Sequence, residues 1–167
     1  MDADGGSSRG ADQHSGPGTP KQAGGLFLQG TKAFILNSTI ANNSAPYAAA
    51  VNEYSNNATG SLDFVNVTLF GNSATTVNTA LEIGNDISGT FLNSTIAGNT
   101  GGIGSGAGIK LTNTIIANNG TTNCSKSHPA GSGNIQYPSG GTACTAVLSM
   151  KIQSLDRFRT MADLPIL

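Results

Sequence analysis

Charge is scarce in this chain. Only 10% of its 167 residues are Asp, Glu, Lys or Arg, against roughly 25% in an ordinary soluble domain. Eight basic residues stand against nine acidic ones. Without clustered positive charge there is no electrostatic case for a nucleic-acid or acidic-lipid partner. Tryptophan is absent, and two Cys with two His are too few and too scattered for a four-ligand zinc site. Long hydrophobic runs are missing as well: nothing approaches the roughly 20 apolar residues of a membrane helix. No early segment has the basic start and apolar stretch of a secretory signal. The high net charge that usually accompanies disorder is also lacking, because the formal charge is −1.

What the chain has instead is small and carboxamide residues. Gly, Ala, Ser, Thr and Asn make up 94 of the 167, and between them short aliphatic clusters recur in a pattern. One phrase occurs four times: Ile35 to Asn43, Phe64 to Asn72, Phe91 to Asn99 and Leu111 to Asn119. Each copy holds a large apolar residue, Asn two later, Ile or Leu three beyond, and Asn again three further on. A small residue followed by an aliphatic one precedes each copy, at Gly25-Leu26, Ala50-Val51, Ala80-Leu81 and Gly102-Ile103. Repetition with unequal steps marks a solenoid whose turns differ in loop length.

The unit is a strand rather than a helix. Its apolar clusters span two to four residues, are rich in Ile, Val, Phe and Thr, and are bounded by Asn and Gly. Helical repeats would need apolar residues at i, i+3, i+4 and i+7 over ten or more positions, and leucine-rich repeats need several leucines at fixed spacing. The expected fold is therefore all-β: a right-handed single-stranded parallel β-helix of the pectate-lyase kind, with about four to five coils over residues 23–122. The predicted core comprises Leu26, Ile35, Ile40, Val51, Phe64, Leu69, Leu81, Phe91, Ile96, Ile103, Leu111 and Ile116. Residues 1–22 carry no large aliphatic or aromatic side chain beyond Met1 and read as a flexible leader or the remnant of an earlier coil. Residues 123–145 form a cysteine-containing loop or last coil. Residues 146–167 form a tail in which Leu148, Ile152, Leu155 and Phe158 have the spacing of a capping helix.

Asn tolerates left-handed backbone at sharp bends, and stacked carboxamides can bond to one another along a solenoid axis. Two ladders are expected on that basis: Asn37, Asn66, Asn93 and Asn113, and Asn43, Asn72, Asn99 and Asn119. The alternative is turn asparagines facing solvent. Several of these residues lie in Asn-x-Ser/Thr sequons, and Asn37, Asn66 and Asn93 would be closed to glycosylation if their ladder were internal. Cys124 and Cys144 read as a disulfide around a loop of about 20 residues, in preference to reactive thiols, which usually sit closer together or beside basic residues.

The phrases Asn93-Ser-Thr-Ile-Ala-Gly-Asn99 and Leu111-Thr-Asn-Thr-Ile-Ile-Ala-Asn-Asn119, with Cys124 close behind, resemble the right-handed parallel β-helix repeats of bacterial surface proteins. The likeness is to large secreted proteins ending in a choice-of-anchor region and, more loosely, to chlamydial polymorphic outer-membrane proteins. It covers roughly residues 24–145. In that family a two-cysteine segment follows the last coil, matched here by Cys124 and Cys144, and then a Thr-Met-Ala-x-Leu-Pro phrase, matched by Thr160 to Pro165. The family's Gly-Ser-Pro continuation is missing, so the chain reads as a fragment or decayed copy of a longer protein. The resemblance implies an extracellular or cell-surface location.

Enzymes share this fold, and each kind has its own residue requirement. A lyase needs acids for calcium and a basic residue to take a proton; a glycosidase needs convergent carboxylates. Between residues 23 and 122 the acids are Glu53, Asp63, Glu82 and Asp86, the bases are Lys32 and Lys110, and Arg and His are absent. Glu53 and Glu82 are offset from one another relative to the repeat, and all four acids read as solvated surface charge. The expected function is a non-catalytic structural or adhesive module, with no cofactor and no metal. Its flat polar face, built on Ser38, Thr39, Ser94, Thr95 and Thr114, would bind polysaccharide or a host or cell surface. The alternatives are a carbohydrate-active enzyme and an ice-binding solenoid using a Thr39, Thr68, Thr95 column, which Ile115 interrupts.

Overall fold

The structure, a computed structural model, describes residues 2–4, 23–54, 59–76, 79–104, 108–120, 122–128, 131–138 and 141–145. The expected helix in residues 146–164 lies outside them, as does nearly all of the leader. Among the described residues there are thirteen strands and no helix. They are β1 (Asp2–Asp4), β2 (Leu26–Gln29), β3 (Lys32–Ala41), β4 (Ser44–Ala45), β5 (Val51–Tyr54), β6 (Gly60–Phe70) and β7 (Ser73–Ala74), followed by β8 (Leu81–Ile83), β9 (Ile87–Leu92), β10 (Thr95–Ala97), β11 (Gly108–Thr112), β12 (Ile115–Ala117) and β13 (Ile135–Tyr137).

All pairings between these strands are parallel. The largest sheet runs β1-β3-β6-β10-β12-β13, with β9 joining β6 to β11; a second runs β2-β5-β8 and a small third pairs β4 with β7. The chain thus returns to the same places in the same order. Its first pass is β2-β3-β4, its second β5-β6-β7 and its third β8-β9-β10. The fourth pass enters at Ile103, bridged to Leu81, and continues through β11 and β12; the fifth enters at Cys124, bridged to Ile103, and ends in β13.

One backbone device bends every pass from the first to the fourth. In β6, Leu62 and Phe64 face inward and Asp63 and Val65 outward, the period-two alternation of a strand. Asn66 then takes φ +56° and stays outside, so two outward residues follow one another and Val67 and Leu69 resume the inward positions. Asn37, Asn93 and Asn113 do the same at φ between +48° and +52°. A second left-handed residue (Asn42, Gly71, Gly98 or Asn118, φ +53° to +66°) turns the chain again five residues later. Gly and Asn are the residues that take this region at least cost.

Register stacks like on like inside. Ile40, Leu69, Ile96 and Ile116 form one file, closed by Gln136. Ile35, Phe64, Phe91 and Leu111 form another, in which the Phe64 and Phe91 rings stack with centroids 4.5 Å apart. Leu26, Val51, Leu81, Ile103 and Cys124 form the third. Ten of the twelve core residues expected from the sequence are buried, while Leu26 and Ile35, in the first pass, are partly so. At the other end the core is covered: Gln136 Oε1 accepts the Cys144 amide at 2.8 Å and Nε2 donates to the Thr142 carbonyl, drawing that segment over the last pass.

Candidate functional site

The two Asn columns have separate roles. Asn43, Asn72, Asn99 and Asn119 are buried and bonded in a file. Each Nδ2 donates to the next Oδ1, at 3.0, 2.9 and 2.8 Å, and the same oxygen also accepts the backbone N–H of the preceding Asn. The second Nδ2 proton of Asn72, Asn99 and Asn119 goes back to the carbonyl of Ile40, Leu69 and Ile96 respectively. Asn123, which stands outside both expected columns, ends the file by accepting from Asn119 and donating to the Tyr137 and Pro138 carbonyls. Its signal is hidden in the sequence because it follows Asn119 by only four residues rather than by a full pass.

The other column corrects an expectation. Asn37, Asn66, Asn93 and Asn113 are exposed, since each is the left-handed residue of a bend and its side chain points away from the core. Two bonds link them along the surface, Asn66 Nδ2 to Asn37 Oδ1 at 2.9 Å and Asn113 Nδ2 to Asn93 Oδ1 at 3.2 Å. They run opposite in direction to the buried file. The sequons at Asn37, Asn66 and Asn93 therefore lie on the surface rather than inside.

The expected polar face is also redrawn. Ser94 and Thr114 point inward and are buried. Thr114 donates its hydroxyl to the Thr112 and Phe91 carbonyls, and the Ser94 oxygen lies 3.3 Å from the Val67 amide that it accepts. Ser38 stands in the same row, paired with Val67, and donates to the Leu36 carbonyl. The reason is the bend: one left-handed residue shifts the alternation by one, sending the next residue to the interior. Thr39 and Thr95 do face out, with Thr68 in register between them.

The outward surface of β3, β6, β10, β12 and β13 is consequently a strip of two files. One holds Thr39, Thr68, Thr95, Ile115 and Ile135; the other holds Ala41, Phe70, Ala97, Ala117 and Tyr137. Strands lie about 4.8 Å apart and the files about 6.6 Å apart. None of these ten residues is charged. At the β1 edge the register continues with Asp2 opposite Thr39 and Asp4 opposite Ala41. Phe70 is 52% exposed and Tyr137 43% exposed, and small Ala97 and Ala117 separate them. The Phe70 ring lies over Gly98, where a Cβ would sit 2.9 Å from its Cε2.

The acids do not converge. Asp63 faces out and its Oδ1 accepts the Thr90 amide at 2.8 Å, and Asp86 is exposed in a turn. Glu82 faces out over Gly104 and accepts the Thr79 hydroxyl at 3.3 Å. Glu53, expected at the surface, is wholly buried. The register pairs Asn52 with Glu82 and Glu53 with Ile83, so the two glutamates point to opposite sides of one sheet. Burial pushes the Glu53 carboxyl above its ordinary value, while the amides of Thr31 and Gly30 pull in the other direction. Among the described residues no three His, Cys, Asp or Glu side chains lie close enough to hold a metal ion, and no helix is long and apolar enough to cross a membrane.

Cys124 and Cys144 form a disulfide with Cα atoms 5.2 Å apart, both buried at the covered end of the core. The buried His128 donates its backbone N–H to the Cys144 carbonyl at 2.7 Å.

In comparisons with protein families, curated proteins and solved structures, the chain finds no match.

Proposed function

We propose that this chain is a right-handed parallel β-helix whose outward Thr/Ala strip is a binding surface for neutral polysaccharide or a glycan-coated cell surface. The observation that carries the reading is the strip itself: ten outward positions in register from β3 to β13, none charged, with two exposed aromatic rings. Apolar ring faces suit the C–H faces of sugars, and the Thr hydroxyls supply both donors and acceptors. The handedness rests on the strong preference of parallel crossover connections. A non-catalytic role is supported by the scatter of Glu53, Asp63, Glu82 and Asp86 over different faces. The resemblance to choice-of-anchor-type secreted proteins and the disulfide both fit an oxidising, extracellular setting.

The test is co-sedimentation with insoluble polysaccharides and a glycan array, comparing the native protein with Phe70→Ala/Tyr137→Ala and with Thr68→Glu. Binding that falls about tenfold or more in both variants, with unchanged unfolding midpoints, supports the strip, tenfold corresponding to about 1.4 kcal/mol. Binding untouched by either variant removes it, and release of unsaturated sugar from pectin would replace it with the enzyme reading. The Thr39, Thr68, Thr95 file also favours a second reading, adsorption to ice, which thermal hysteresis of the purified protein would reveal.

A further inference from the structure

Glu53 stands where the fold places hydrocarbon. Its register partners are Leu28 in the first pass and Ile83 in the third, and like them it faces the interior. The residue is 0% exposed. Oε1 accepts the Thr31 amide at 3.3 Å, at the bend between β2 and β3, whereas Oε2 has no hydrogen-bond partner among the described residues. A buried carboxylate oxygen without a donor is the arrangement a protein interior tolerates least when charged, and far better when it carries a proton.

Nothing facing it among the described residues neutralises a negative charge. On β2, Leu26 and Leu28 face in; on β8, Leu81 and Ile83 do so while Glu82 faces out. Across the interior, Ala33 and Ile35 of β3, Leu62 and Phe64 of β6, and Ile87 and Phe91 of β9 are apolar. The charged and titratable groups of the packed elements all lie outside this set. Lys32 is exposed on the outward side of β3, Asp63 is outward and bonded to the Thr90 amide, Asp86 is exposed, and Tyr54 follows Glu53 on its own strand without being fully buried.

We infer that Glu53 is a proton-binding site inside the core that fastens the first pass to the second: protonated, it holds the Gly30–Thr31 bend against β5, and ionised, it releases that bend. The first pass is the part that can respond, because Leu26, Leu28, Ala33 and Ile35 are only partly buried, whereas Leu62, Phe64, Leu81 and Ile83 of the next two passes are closed off from solvent. The sign follows from the raised affinity for the proton. The folded state holds the proton more tightly than the unfolded chain does, so the contribution to stability is complete below the ordinary carboxylate value of 4.5. It declines as pH rises above that value and is gone once the folded group has ionised.

The experiment uses the full chain and two variants, Glu53→Gln, a neutral shape mimic, and Glu53→Leu, which copies Leu28. Melting temperature and amide-exchange protection factors for residues 26–41, corrected for intrinsic exchange, are recorded from about pH 4 to about pH 9, a range that brackets the titration of a buried carboxyl. The native protein is expected to lose protection in residues 26–41 by about tenfold or more over that range, more than in residues 87–117, and its melting temperature to fall. Both variants are expected to give flat profiles, and the native protein alone an infrared carboxylic-acid band that shifts in deuterated buffer and persists above the pH at which exposed carboxyls have ionised. If Gln at this position prevents folding, the Leu variant carries the comparison. Native and variant profiles that run parallel, or loss of protection spread evenly over all passes, would overturn the inference.

Discussion

Replacing Asn99 and Asn93, six residues apart in one repeat phrase, should give opposite patterns. Asn99 Oδ1 is the acceptor for both the Asn72 backbone amide at 2.8 Å and Asn72 Nδ2 at 2.9 Å. Asn99→Ala leaves two buried donors without that acceptor and also deprives the Leu69 carbonyl of its side-chain partner. At about 1–3 kcal/mol for each unsatisfied buried donor, the cost is about 2–6 kcal/mol. Asn99→Gly removes the same groups and should be no milder. Asn93 is exposed and its backbone sits at φ +52°, so Asn93→Ala loses one solvent-replaceable bond and places an L-residue with no local polar compensation in the left-handed region, for about 1–2 kcal/mol. Asn93→Gly should recover most of that. Urea titrations of the four variants read these differences directly. Equal costs at the two positions, or rescue by Gly at residue 99 as well as at residue 93, would refute the division of labour between the columns.

Other perturbations have equally definite outcomes. Replacing both Cys124 and Cys144 by Ala should lower stability by about 3 kcal/mol in the loop-entropy account of a closure with sequence separation 20, read as a shift in urea midpoint against the native protein. Phe64→Ala removes one half of the stacked pair at the centre of the core and should cost about 3–5 kcal/mol by the same titration. Gly89 is packed against the Leu62 carbonyl so closely that a Cβ has no room; Gly89→Ala should cost about 1–3 kcal/mol or more, whereas Gly141→Ala meets no neighbouring atom and should cost only the backbone penalty of an L-residue at φ +85°, about 1–2 kcal/mol.

The inner files are legible in the sequence because each position is filled by one kind of residue for one reason. Ile40, Leu69, Ile96 and Ile116 pack on each other in the interior, so the repeat keeps them aliphatic, and the spacing of 29, 27 and 20 residues carries straight into the register. The two Asn columns are visible there but their sides are not. The same residue type suits a left-handed bend on the surface and an amide file in the interior, and the letters do not distinguish them. Strict alternation carried across the bend puts Ser94 and Thr114 outside, but one left-handed residue at Asn93 and at Asn113 reverses it. Glu53 is the hardest case, since its inward direction is fixed only by register with Leu28 and Ile83, across gaps of unequal length. The redrawn strip depends on Phe70 and Tyr137, which carry no polar repeat to mark them.

Contacts between methyl groups test the stacked arrangement most directly. In protein with labelled Ile and Leu methyls, nuclear Overhauser contacts should link Ile40 to Leu69, Leu69 to Ile96 and Ile96 to Ile116. Pairs two passes apart, such as Ile40 with Ile96, should be far weaker, being separated by about 9.6 Å of stacked strand. Contacts that skip a pass, or an antiparallel order in which Ile40 meets residues advancing in the reverse direction along β6, would contradict it.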